Sequence, residues 1–188
     1  MKFDPKKTAL LTLDFQKGIL GFVPGAESIL PNASRAAEFA RTKQFLIIPV
    51  GLGFSEGHPE IPDTDSRFKR AKEQNLFVKG TPSADFHSSI FRPGELVVYK
   101  QRVGAFCENQ LQLILRSRGI ENLVFFGIST SGVTLSTLRR ASDLDYRCVV
   151  LKDACFDADT EVHRVLTEKI FPMQAMVVTV DEFIGEQE

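Results

Sequence analysis

Apolar residues fall along this chain in short unbroken runs, separated by stretches where they recur at helical spacing. The clearest run is Leu123-Val124-Phe125-Phe126, which breaks at Gly127 into the turn Ser129-Thr130-Ser131-Gly132. Apolar positions then resume at Val133, Leu135, Leu138 and Ala141. An unbroken run suits a strand buried on both faces of a parallel sheet, and the later spacing suits a helix. Strand, small-residue turn and helix together describe the carboxyl edge of an α/β sheet, where N–H groups at the helix start converge on a ligand.

The same reading places strands at Thr8–Leu13, ending on Asp14, and at Phe45–Val50, where Pro49 marks the strand's end or a side without a neighbour. Glu95–Lys100, Arg147–Lys152 (with Asp153 just beyond) and Ala175–Val180 complete six strands. Helices are expected from Pro31 or Asn32 to about Lys43, from Glu108 to Arg118, from the central turn to about Leu144, and from Asp159 to Ile170. Asn32 can cap the first of these, or Pro31 can open its first turn. Gly119 is placed as the left-handed stop of the second. Gly18, Gly21, Pro24 and Gly25 break regular structure after Asp14, and Gly51 to about Ser89 is irregular apart from a charged helical piece, Asp65 to Asn75. Strands alternating with helices predict βαβ units and one Rossmann-like three-layer α/β/α sandwich with a six-stranded parallel sheet. The whole chain, 1–188, reads as one domain with a less regular insertion at about 51–94.

Composition narrows the function classes. Lys+Arg 23 against Asp+Glu 24 gives a net charge of −1, and no basic run makes a local patch, so nucleic acid and anionic membrane are not expected partners. No apolar run approaches the roughly 20 residues of a membrane span, and the start of the chain does not read as a signal peptide. Cys107, Cys148 and Cys155 are odd in number and lack metal-type spacing, which fits reduced thiols in a cytoplasmic protein.

In a parallel sheet all carboxyl ends share one edge, so Asp14, Lys100, the Gly127 turn and Asp153 are candidates for one crevice. A carboxylate and an ammonium after two apolar strands can tune each other for proton transfer, or can form an ion pair that merely plugs the sheet edge. Both readings stand on the residues alone.

The motifs TALLTLDFQ at the start, VVYKQRVGAF at Val97–Phe106, the long block from Leu113 to Asp157, and EVH at Glu161–His163 resemble, in that order, the isochorismatase-like hydrolase family, also called cysteine hydrolases. The resemblance is weakest from about Phe54 to Glu95. It implies sheet order 3-2-1-4-5-6 and an Asp–Lys–Cys triad whose aspartate is Asp14 and whose lysine is Lys100. The triad's cysteine sits six residues beyond the strand-ending glycine, and here that residue is Val133. The resemblance further implies oxyanion-hole amides at Ser129 and Val133, a cis peptide at Ile128–Ser129, and assembly as a homo-oligomer, dimer or tetramer.

With valine in place of the thiol, an acyl-enzyme formed there is excluded. True isochorismatases of the family also lack the cysteine and use the aspartate as a general acid on a vinyl ether, but they carry glycine at that position. The expected function is therefore hydrolysis of a small carboxylated metabolite, with Asp14 as general acid/base and Lys100 as its partner. The alternative is an inactive family member that binds or assembles. Ser129, Thr130, Ser131 and Ser136 more simply satisfy turn amides than act as nucleophiles, and Cys107 reads as a partly buried side chain. Phe15, Phe54, Phe106 and Thr130 are candidate pocket walls. Arg92 and Arg102 lie in reach of an anion near Lys100, although surface salt bridges are the plainer expectation for both. No cofactor is implied. Metal is not expected either, since the segment after the second strand offers only His58 among its histidines.

Overall fold

The computed structural model describes residues 2–187. β1 (Thr8–Leu13) is buried at every position and pairs in parallel with β2 (Leu46–Leu52) on one side and β4 (Asn122–Gly127) on the other. β3 (Val98–Lys100) lies outside β2, while β5 (Arg147–Leu151) and β6 (Ala175–Val178) extend beyond β4. The order β3-β2-β1-β4-β5-β6, parallel throughout, is the expected one.

This order decides where the helices go. The chain leaves β1 in one direction and leaves β4 in the other, so right-handed crossovers put α2 (Leu30–Thr42) on one face. By the same rule α4 (Leu111–Ser117), α5 (Leu135–Asp143) and α6 (Thr160–Val165) lie on the opposite face. α2 turns Ala33, Ala36, Ala37 and Ala40 inward, a helical stripe of small residues against β1 and β2. Asp159 caps α6 by accepting from the Glu161 and Val162 amides, and Gly119 takes the left-handed conformation after α4.

Pro49 sits inside β2 rather than at its end. The Val50 carbonyl accepts from Asp14 N–H, toward β1, so Pro49 faces the β3 side, where the ladder begins only at Val50. Its missing donor therefore costs no ladder bond. Gly127 is required for close packing, because a Cβ there would lie 2.6 Å from the Leu13 carbonyl oxygen. Gly127→Ala is expected to destabilise the fold by about 1–3 kcal/mol through overpacking, read as a lower denaturant midpoint at unchanged slope.

Several boundaries differ from the sequence reading. The Gly18–Gly25 stretch is not wholly irregular: α1 (Lys17–Phe22) forms there, with Leu20 buried. Asn32 does not cap α2. It lies in the first turn, after Pro31, and its amide donates to the Asp153 carbonyl and to Asp153 Oδ2. The charged helical piece shrinks to α3 (Lys69–Glu73), and the Asp159–Ile170 helix gives way after α6 to a wider turn at Leu166–Ile170. A final helix, α7 (Val180–Gln187), was not expected. Its signal is a capping box: Thr179 N–H donates to Glu182 Oε2 while Thr179 Oγ1 accepts from Glu182 N–H.

Candidate active site at the sheet reversal

The chain's winding reverses between β1 and β4, and the crevice outside their carboxyl ends is where ligands bind in open α/β sheets. Asp14 follows β1 directly, in a left-handed conformation at φ 62° that an aspartate tolerates better than most residues. Lys100 ends β3, two strands away, and its side chain spans the end of β2 to bring Nζ within 3.1 Å of Asp14 Oδ2. Nζ also donates to the Arg102 carbonyl at 3.1 Å.

Both side chains are almost wholly enclosed, Asp14 at 7% exposure and Lys100 at 1%. Asp14 Oδ1 has no hydrogen-bond partner among the described residues. Burial pushes the Asp14 carboxyl above its ordinary value, against the pull of the Lys100 charge and its hydrogen bond. The opposing influences leave an acid with one oxygen held by a cation and the other unspent.

Apolar packing continues past the main core. Leu52, Phe54, Ile61, Phe68, Ala71 and Phe77 form a second apolar cluster, joined by Val103, just beyond the ends of β2 and β3. Phe54 is tied into it through paired backbone bonds with Phe77 and Lys79. Gln16, fully buried, fastens the region by donating to the Leu52 and Ala84 carbonyls and accepting from Leu52 N–H. The irregular β2–β3 connection thus carries a packed apolar unit of its own beside the sheet edge.

The turn after β4 forms the other wall. The Ile128–Ser129 peptide is cis, as the resemblance implies. Ser129 Oγ accepts from Gly132 N–H, Thr130 N–H donates to the Phe156 carbonyl, and Ser131 N–H donates to Asp157 Oδ2. These bonds occupy the three amides between Ser129 and Val133, the two positions at which the resemblance sets an oxyanion hole. Val133 is buried, 2% exposed, inside a wide turn (Thr130–Thr134) that runs into α5.

Some candidate residues fall elsewhere. Phe15 does not face a pocket: it is fully buried, edge-on to Phe126 at 5.5 Å, because the left-handed turn at Asp14 directs the next side chain into the core. Phe106 stacks on Tyr146, which precedes β5 at the amino edge of the sheet, and lines a recess with Gly104, Cys107, Ser136 and Arg140 in which neither Asp14 nor Lys100 takes part. Thr130 is fully buried, and its hydroxyl meets His163 Nδ1 at 2.8 Å instead of lining an open wall. Asp153 is structural, its two oxygens taken by Val180 N–H and the Asn32 amide. His58 is buried against Phe54, with Nε2 on the Leu76 carbonyl. Arg92 pairs with Glu38, as a surface residue was expected to, whereas among the described residues Arg102 bonds only to carbonyls.

Sequence reasoning gives His163 no part in the site. Half-buried on α6, it braces the turn through Thr130, and burial holds its imidazole below the ordinary value against the opposing Asp157 charge. The EVH motif was its only signal. Cys155 is enclosed beside Thr134, its thiol pushed up to about 12 chiefly by burial, which makes it inert. Among the described residues, no group of three or more His, Cys, Asp or Glu side chains is placed to hold a metal ion.

Comparison with known proteins agrees with this fold. The isochorismatase domain profile matches residues 8–182, and the chain belongs to the isochorismatase family. The uncharacterised isochorismatase family protein YecD of Escherichia coli O157:H7 is 31% identical, covering 98% of each chain. An isochorismatase family protein from Burkholderia thailandensis is 25% identical with a TM-score of 0.82, over 99% of this chain and 97% of that one. A cysteine hydrolase from Pseudomonas syringae pv. phaseolicola 1448A shares the fold at a TM-score of 0.90, with 18% identity over 100% of this chain and 95% of its own. Family membership supports a hydrolase function. No helix among the described residues is long and apolar enough to cross a membrane.

Proposed function

We propose that the protein is a cysteine-independent hydrolase of a small carboxylated metabolite, with Asp14 as general acid/base and Lys100 as its electrostatic partner. The observation that carries this reading is the enclosed Asp14–Lys100 contact with Asp14 Oδ1 left unspent. In a purely structural ion pair both carboxylate oxygens are normally satisfied, since each orphaned buried acceptor costs free energy. Here the unspent oxygen is free to pass a proton to, or take one from, a substrate atom. Water then serves as the nucleophile, because Val133 supplies none and the nearby hydroxyls of Ser129 and Thr130 are engaged by Gly132 and His163. Oligomeric assembly belongs to the same reading and rests on the family resemblance alone.

The test is turnover. Isochorismate and a panel of small enol ethers and amides, each bearing a carboxylate, are incubated with the wild type and with Asp14→Asn in parallel. Turnover lost in the variant supports the reading; turnover indifferent to the substitution, or none across the panel, overturns it in favour of a binding or assembly role. A second variant probes the scaffold: Val133→Cys is expected to release ammonia from a small amide that the wild type leaves intact. Failure of a folded Val133→Cys protein to do so would count against an oxyanion hole at this turn.

A further inference from the structure

Arg102 stands two residues beyond Lys100 and is unlike the other arginines around the site. Its Nη1 donates to the Glu60 carbonyl at 3.1 Å and to the Gln101 carbonyl at 2.7 Å, which fixes the guanidinium in place. Its Nε and Nη2 groups find no acceptor among the described residues, and it joins no ion pair among them. By contrast, Arg92 is paired with Glu38 and Arg67 with Asp65.

The guanidinium lines a recess of about 310 Å³ with Pro62, Thr64, Asp65, Ser66 and Arg67. Arg67 grips Asp65 through Nε at 3.1 Å and Nη2 at 2.8 Å. Those bonds hold the Asp65 carboxyl down at about 2, so the two charges cancel at any ordinary pH. What remains is one uncompensated positive charge, with the Thr64 and Ser66 hydroxyls in the same wall. At the main chain of the same residue, the Arg102 carbonyl accepts the hydrogen bond from Lys100 Nζ.

We propose that this recess is the substrate's carboxylate subsite, with Arg102 as the specificity-determining cation, and thus that the substrate is an anion presenting its reactive bond toward Asp14. The proposal rests on the hydrolase reading above. A guanidinium matches a carboxylate with two parallel N–H donors, and one already anchored loses little freedom on binding. Lys100 has both of its visible contacts inside the protein, to Asp14 and to the Arg102 carbonyl, and so leaves the anion to Arg102.

The probes are benzoate and succinate, with benzamide and succinamide as neutral controls, titrated into the full chain. Binding is followed by calorimetry and by the side-chain Nε–H resonance of Arg102. The carboxylates are expected to shift that resonance saturably and the amides to leave it unmoved. Arg102→Gln, which keeps the main-chain carbonyl under Lys100, is expected to weaken carboxylate binding about tenfold or more, as loss of a charge-assisted pair should. Arg102→Lys, with charge but no fork, should fall between. Asp14→Asn should retain carboxylate binding while losing turnover, so failure of the hydrolase reading and failure of the subsite give different results. An Arg102 resonance indifferent to the carboxylates, or wild-type affinity in Arg102→Gln, overturns the subsite.

Discussion

Replacing Asp14 with asparagine is expected to lower turnover by about 10²–10⁴-fold, the usual contribution of a positioned general acid or base. Asparagine keeps the side chain's outline but neither donates nor accepts a proton at catalytic cost. The Asp14 site is suited to the task because two influences oppose each other there. Burial favours the neutral acid, and the Lys100 ammonium, 3.1 Å away, favours the carboxylate. A group so balanced changes protonation more readily near working pH than a free aspartate. Urea unfolding run alongside the kinetics separates lost chemistry from lost fold. A folded Asp14→Asn protein with full turnover would remove the acid–base role.

Lys100→Met is expected to destabilise the protein by about 3–5 kcal/mol at pH 8, because one member of a buried ion pair is left uncompensated. Methionine fills most of the aliphatic volume, so the loss is chiefly electrostatic. It is also pH-dependent, with a definite sign. The folded-state value of Asp14 already lies above the ordinary 3.8, and removing the ammonium takes away the influence that lowers it. A folded state that binds its proton more tightly than the unfolded one is fully favoured below about pH 3.8 and loses that advantage as pH rises through the folded value. The destabilisation of Lys100→Met should therefore be small near pH 4 and full at pH 8, measured by urea midpoints at the two values. Equal losses at both would indicate a packing defect instead.

How far the sequence revealed this arrangement differs from element to element. The central strands were legible because they are buried on both faces and so read as nearly uninterrupted apolar runs, Thr8–Leu13 and Asn122–Gly127 most plainly. From strand ends alone, Asp14 and Lys100 could be placed on one sheet edge. Their contact needed the order of strands, since Lys100 reaches across β2. Single side chains were harder. Phe15 follows a left-handed residue, which alternation along a strand does not anticipate, and Phe106 is captured by Tyr146, 40 residues later in the chain. The β2–β3 connection was least legible because it has little periodicity. Its apolar cluster is assembled from scattered residues, Phe54, Ile61, Phe68 and Phe77, that meet only in the folded chain. His163 and Arg102 were visible as residues, yet their roles depend on the Thr130 hydroxyl and on two carbonyls that no local pattern reveals.

The central claim is that Asp14 is an acid tuned by burial and held ready beside Lys100. The direct measurement is the carboxyl ¹³C resonance of Asp14 followed through a pH titration of the wild-type protein, assigned by comparison with Asp14→Asn. The account predicts a midpoint clearly above the ordinary 3.8, moving higher again in Lys100→Met. A midpoint at or below 3.8 would contradict it, and would make the pair a permanently charged plug at the sheet edge.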